Sequence, residues 1–179
     1  MNRSQLAHIV RAAARIVDAQ DMLIIGSQSI LGSFEEYQLP DIATLSREAD
    51  VAFFNDPDER KSDQVDGSIG EMSTFDEEFG IYAQGVSVST AVLPVGWRDR
   101  VIAFQNAETE GALAWCLEPH DLCLSKLVAN REKDLAFVTA LLDAGLISIE
   151  ILRRRAPDLP LPGTTLRVTT RWLDGWKRR

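Results

Sequence analysis

Cysteine is scarce: the 179 residues contain only Cys116 and Cys123. Two thiols make no disulfide framework. They bracket His120 in a Cys-x3-His-x2-Cys arrangement with Glu118-Pro119 inside it, a spacing too tight for the common zinc sites, so buried free thiols are expected. Long apolar runs are also missing. None approaches the roughly eighteen residues of a membrane span, and the opening Met-Asn-Arg-Ser-Gln-Leu lacks the segments of a signal peptide, so a cytoplasmic protein without membrane contact is expected. Basic charge is in deficit, with 19 Lys and Arg against 27 Asp and Glu and a formal net charge of −8. That excludes a surface coated for nucleic-acid binding, although the charge is uneven. Residues 48 to 110 carry fourteen acidic and four basic side chains, whereas residues 111 to 179 carry eight acidic and eleven basic ones. Any RNA or DNA contact should therefore favour the carboxy-terminal third. Internal repeats and low-complexity tracts are absent, and the length predicts one domain with a substantial core.

What is present centres on Met22 to Phe54. Met22-Leu23-Ile24-Ile25 is an apolar run closed by Gly26-Ser27, and helical spacing follows over 28–37, so the stretch reads as strand, tight turn, helix. Gly26 would free the backbone at the turn and Ser27 would cap the helix, a corner able to hold a phosphate. Any α/β protein uses such a glycine turn, so the corner alone does not specify a ligand. Glu48 to Phe54 reads as a second strand, and its period of two points the carboxylates of Glu48 and Asp50 to one face. Such a pair is either a solvated acidic face or a seat for a hard divalent cation such as Mg²⁺, which offsets the repulsion.

Around these strands the pattern gives further elements. Leu6, Ile9, Val10, Ala13, Ile16 and Val17 make residues 4–20 an amphipathic helix with Ser4 as its cap. Residues 55–78 read as an acidic loop with a short helix near 69–75. Residues 79–94 read as one strand bulged at Gly85, or as two short ones, and 101–104 with 113–117 as a strand pair. Glu118-Pro119 opens a helix carrying Lys126, and Glu132 to Ala144 forms the next, stopped by Gly145. Trp97 reads as a packing anchor before a base-stacking group. In the tail, Trp172 and Trp176 fall on one helical face among Arg167, Arg171, Lys177, Arg178 and Arg179. Docking on the domain is favoured there over RNA binding.

The Gly26-Ser27 corner followed about twenty residues later by acid-x-acid resembles the polymerase-β-type nucleotidyltransferase fold. More narrowly, Ile25 to Gly32, Arg47 to Val51, Leu93 to Trp97 and Lys126 through Asp134 resemble a family of small bacterial nucleotidyltransferase-like proteins. That family is related to the nucleotidyltransferase toxins of abortive-infection-type toxin–antitoxin systems, and the matches span about residues 20 to 147. The resemblance implies an α/β fold, a mixed sheet of four to six strands packed with helices. It divides the chain into a core over 1–117 and a helical portion of the same domain over 118–179. It further implies transfer of a nucleotidyl group from a nucleoside triphosphate to an acceptor hydroxyl, with RNA and particularly tRNA as the acceptor suggested by the toxins, and an antitoxin-type protein as a partner. Gly26 and Ser27 would bind the nucleotide's phosphates and Glu48 and Asp50 would hold Mg²⁺. Lys126 and Asp134 match the catalytic motifs of the toxins. Many such enzymes carry a third carboxylate on a later strand, where this chain offers Gln84, Ser87 and Ser89. A degenerate module that binds nucleotide or protein without catalysis is therefore the alternative.

Overall fold

The structure is a computed structural model and describes residues 1–177; Arg178 and Arg179 of the basic tail lie outside the described residues. Five strands, β1 (Met22–Ile25), β2 (Glu48–Phe53), β3 (Tyr82–Gly85), β4 (Ile102–Phe104) and β5 (Ala114–Cys116), form one mixed sheet in the order β3-β2-β1-β5-β4. The central strand β1 runs antiparallel to β2 and parallel to β5, while β2 and β3 are parallel and β4 and β5 antiparallel. This is the mixed α/β architecture expected from the sequence. All four residues of β1 are buried, which explains its uninterrupted apolar run: a central strand covered on both faces has no solvent side to mark with polar residues.

Among the described residues eight α-helices surround the sheet: α1 (Arg3–Val17), α2 (Asp41–Thr44), α3 (Arg60–Ile69), α4 (Thr74–Phe79), α5 (Pro119–Ala129), α6 (Glu132–Asp143), α7 (Ile149–Arg155) and α8 (Gly163–Gly175). Leu6, Ile9, Val10 and Ala13 are the buried stripe of α1, as their spacing requires. The cap is Asn2, two residues earlier than Ser4. Asn2 accepts from the Gln5 backbone while the Gln5 side chain accepts from Asn2 N–H, a reciprocal capping box. Pro119 opens α5 and Glu118 caps it, accepting from the backbone of His120 and Asp121. One apolar cluster joins residues of α1, the strands and α5 to α8, including Leu23, Val51, Leu124, Val138, Leu152 and Leu173.

Several expectations are corrected. The helix anticipated over 28–37 is a six-residue 3-10 segment, Ser27–Gly32, followed by irregular chain and a 3-10 turn at Glu36–Gln38. The acidic stretch anticipated as loop contains α3 and α4. In α3, Val65 and Ile69 supply the buried face at i and i+4, Ser62 joins them, and Asp56 accepts from the backbone N–H groups of Lys61 and Ser62. With so few apolar residues, the helix shows itself only through its packing on β2 and β3. The strand anticipated over 79–94 shrinks to β3, and Gly85 serves close approach, not a bulge. A Cβ there would lie 1.9 Å from the carbonyl oxygen of Ser62 on α3.

Trp97 stacks on Phe54 with centroids 5.9 Å apart, and Trp172 and Trp176 pack against the core. Cys116 and Cys123 are buried free thiols, and burial pushes Cys116 up to about 12. His120 shares a hydrogen bond with Glu118 through Nδ1 at 2.6 Å and accepts the Ser148 N–H at Nε2, so both ring nitrogens are engaged. Among the described residues no helix is long and apolar enough to cross a membrane.

Candidate active site

The site begins where β1 leaves the sheet. Ile25 is opposite Asp50 in the antiparallel register, and β1 ends there, so Glu48 extends past its last partner on that side. Gly26 then turns away with φ +65, a left-handed value that favours glycine. Its second constraint is steric, because a Cβ on Gly26 would stand 1.7 Å from Asp50 Oδ2 and 2.7 Å from its Cγ. The chain can bring this carboxylate to the corner only if residue 26 has no side chain.

Ser27 opens the 3-10 turn, and Gly26 itself occupies the cap position with no side-chain hydrogen bond. Ser27 is thus not the cap predicted from sequence. A six-residue 3-10 turn carries a smaller dipole than the expected helix, so less of any anion's stabilisation can come from the backbone here. Side-chain cations must supply more.

Those cations come from the junction of α5 and α6. Lys126 in the last turn of α5 donates to Asp134 Oδ1 at 3.1 Å and lies over the Phe137 ring, 4.5 Å from its centroid. Arg131 at the cap position of α6 grips the same carboxylate through Nε at 2.6 Å and a second nitrogen at 3.3 Å. Asp134 is 1% exposed. Burial alone would raise its pKa, but the Arg131 hydrogen bond and the Lys126 charge outweigh that and hold it below the usual carboxylate range. The short separation of Lys126 and Asp134 in sequence is spanned by the turn at Asn130, which has φ +53.

Across from these cations, Glu48 and Asp50 stand side by side. Burial, then the charge and hydrogen bonding of Glu48, push Asp50 up to about 6, although Lys126 and Arg131 pull it the other way. The adjacent strand completes the acidic wall, with Tyr82 beside Glu48 and Gln84 beside Asp50. Tyr82 donates its hydroxyl to Glu48 Oε2 at 3.0 Å, and burial together with this bond pushes the phenol up to about 12.

Gly26, Ser27, Glu48, Asp50, Lys126 and Asp134 all line one cavity of about 400 Å³. A second cavity of about 370 Å³ adjoins it, sharing Gly26, Asp50, Gln84, Lys126 and Arg131. Its remaining wall is largely apolar, with Ile25, Val86, Val92 and Leu122. Both halves fall within the size range of small-molecule sites, and together they make a cleft with a charged half and an apolar half.

Two carboxylates at one end of this cleft suit a hard divalent cation. Burial raises Asp50 most and the neighbouring Glu48 charge adds to it; that repulsion is what such an ion would offset, and the carboxylate oxygens match Mg²⁺ chemistry. Among the described residues no group of three or more His, Cys, Asp or Glu could hold a metal. Water and substrate oxygens would have to complete the coordination, as Mg²⁺ commonly allows.

Arg131 and Tyr82 were not assigned roles from sequence. Arg131 reads there as part of a self-neutralising charged junction, and only folding aims it at the carboxylates. Tyr82 reaches Glu48 through the β2–β3 register, which no local pattern reveals, and of the three positions anticipated for a third carboxylate that register sets Gln84 beside Asp50.

The model of one protein family, described as nucleotidyltransferase of unknown function (DUF6036), matches residues 4–161, which leaves α8 beyond the matched stretch. No curated protein and no solved structure matches the chain.

Proposed function

The chain belongs to this family of nucleotidyltransferases of unknown function, and from that premise we propose that it transfers a nucleotidyl group from a nucleoside triphosphate to an acceptor hydroxyl, with Mg²⁺ as cofactor. The supporting observation is the shared cleft, in which Glu48 and Asp50 line one cavity with Gly26, Ser27, Lys126, Arg131 and Lys133. In the proposed reaction the acceptor oxygen forms a phosphoester bond to the α-phosphorus and the α–β phosphoanhydride bond breaks. Pyrophosphate leaves, and the hydroxyl proton passes to water in the open charged half.

Glu48 and Asp50 hold the metal, which when bound supplies charge neutralisation on the phosphates. Gly26 and Ser27 lie along the phosphates, where the lack of a side chain at residue 26 permits close backbone approach. Lys126 stabilises charge developing on the leaving pyrophosphate. Asp134 is a positioning residue that holds Lys126 and Arg131 in place. The apolar half of the cleft takes the base.

The resemblance to the toxins extends the proposal to an RNA acceptor, with tRNA foremost, in a cytoplasmic enzyme with an antitoxin-type partner. Exposed Arg154, Arg167, Arg171 and Lys177 on and after the last two helices are cations that a polyanionic acceptor would use. A second reading, a catalytically degenerate nucleotide- or protein-binding module, is favoured by the presence of only two acids at the metal position.

One experiment separates the two. Each nucleoside triphosphate with Mg²⁺ is titrated while thermal stability is followed, and the radiolabelled triphosphate that stabilises the protein is then incubated with it and total tRNA. Labelled RNA whose yield falls steeply with salt supports transfer to a polyanion. Stabilisation without labelling of tRNA supports the degenerate nucleotide-binding module, and no stabilisation by any triphosphate overturns nucleotidyl transfer and leaves only a protein-binding module.

A further inference from the structure

The charges around the cleft bear on how many divalent ions it takes. Resting on the nucleotidyl-transfer reading above, we propose that the site takes a single divalent cation, completed by the nucleotide's phosphates, and that the neutral amide of Gln84 is what limits it to one. Two-metal sites place their ions about 3.5–4 Å apart, which requires a bridging carboxylate and further anionic oxygens to offset four positive charges. Every neighbour of the Glu48–Asp50 pair within the sheet is neutral. On β3 the register sets Tyr82 beside Glu48 and Gln84 beside Asp50. On the other side β1 ends at Ile25 opposite Asp50 and continues into Gly26, which contributes no side chain.

The two acids are themselves partly committed. Glu48 Oε2 accepts the Tyr82 hydroxyl at 3.0 Å, which occupies one side of that carboxylate. The facing wall is cationic, with Lys126 and Arg131 lining the same two cavities as Asp50. Asp134 adds no usable anion because it is buried under both of those cations. Two carboxylates therefore match one doubly charged ion, and a second would meet an amide, a phenol and two fixed positive charges. Lys126 and Arg131 take over, on the leaving-group side, the neutralisation that a second ion would provide.

Gln84 is the informative position. It is exposed, it lies directly beside Asp50, and it lines both halves of the cleft. A carboxylate there would add the missing anion without disturbing a packed core.

The test counts bound Mn²⁺ by electron paramagnetic resonance on the full chain at pH 8. The probes are saturating α,β-methylene analogues of ATP, GTP, CTP and UTP in turn. With the analogue that binds, the expected count is one Mn²⁺ per chain for the unaltered protein and for Gln84→Ala, rising towards two for Gln84→Glu, with line broadening from the coupled ions. Gln84→Asp is the second acidic variant should Gln84→Glu fail to fold. Two ions in the unaltered protein, or one ion in a folded acidic variant that still binds the analogue, overturns the single-ion assignment and leaves nucleotidyl transfer standing. No Mn²⁺ and no analogue bound to the unaltered protein overturns both.

Discussion

Asp50 occupies the space that a side chain on Gly26 would need, its Oδ2 lying 1.7 Å from the position of a Cβ there. Gly26→Ala must therefore move the carboxylate and also hold alanine at φ +65. With ψ at −168 this backbone conformation is one that essentially only glycine adopts and costs alanine on the order of 1–3 kcal/mol, and displacement of Asp50 adds to it. The expected outcome is a lower urea midpoint together with loss of the stabilisation that Mg²⁺ and triphosphate confer. An alanine variant that keeps both would show that the close approach has no part in binding.

Asp50→Asn should stabilise the metal-free protein at neutral pH. The folded state holds the Asp50 proton up to about pH 6, whereas the unfolded chain releases it near 3.8. Between those values the native state binds more protons, so rising pH erodes stability as the carboxylate ionises beside Glu48. Removing that ionisation should recover on the order of 1–2 kcal/mol at pH 8 in the presence of a chelator and almost nothing at pH 3.5. Paired urea denaturation curves at the two pH values check this. The same variant should lose Mg²⁺-dependent nucleotide binding, and retention of full affinity would remove Asp50 from the metal site.

Lys126→Met keeps the stem over Phe137 and deletes the charge. Turnover should fall by about a hundredfold or more, the usual loss when a group that stabilises developing charge is removed. Folding should survive, because Arg131 still neutralises the buried Asp134. Single-turnover kinetics with a radiolabelled triphosphate measure the effect, and unchanged rates would reduce Lys126 to a structural partner of Asp134.

Tyr82→Phe removes the hydroxyl that orients Glu48 without changing the ring. Mn²⁺ affinity of the nucleotide complex should weaken several-fold while thermal stability shifts little, since one partly exposed hydrogen bond contributes only about 1 kcal/mol. Mn²⁺ titration followed by electron paramagnetic resonance reads the affinity directly. An unchanged affinity would mean that Glu48 needs no such support.

Acid stability should depend on Glu118, away from the cleft. Burial pushes its pKa upwards, yet the hydrogen bonds from His120 and Arg155 prevail and hold it down at about 2. Its contribution is thus complete above about pH 4.5 and is lost as pH falls from there towards 2, the unfolded state being the first to take up the proton. Glu118→Gln should cost on the order of 2 kcal/mol at pH 7, and the difference from the unaltered protein should shrink progressively below pH 4.5. Denaturation midpoints measured from pH 7 to pH 2.5 trace this convergence, and parallel curves would contradict it.

Where sequence reading succeeded, a local signal carried it. The run Met22 to Ile25, the period-two acids Glu48 and Asp50, the Glu118-Pro119 opening of α5 and the apolar stripe of α1 each state their structure within a few residues. The elements it missed carry weak local signals. In α3 only Val65 and Ile69 mark the buried apolar face, and the helix is held by Asp56 and by the sheet beneath it. The continuation after Ser27 has helical spacing in its letters, yet the chain makes a short 3-10 segment there, with residues 28–31 buried.

By itself the sequence determined that Glu48 and Asp50 share a face, since a strand's period is a property of the backbone alone. It also determined that Gly26 ends β1 and that Lys126 and Asp134 flank a helix junction. Only the tertiary structure decided that these pieces meet. The antiparallel register of β1 and β2 brings Asp50 onto Gly26, the parallel register of β2 and β3 sets Tyr82 and Gln84 beside the acids, and the turn at Asn130 folds Arg131 and Lys126 onto one buried carboxylate. Each is a pairing across distance in the chain or across a left-handed turn. Their energies depend on partners that no local periodicity records.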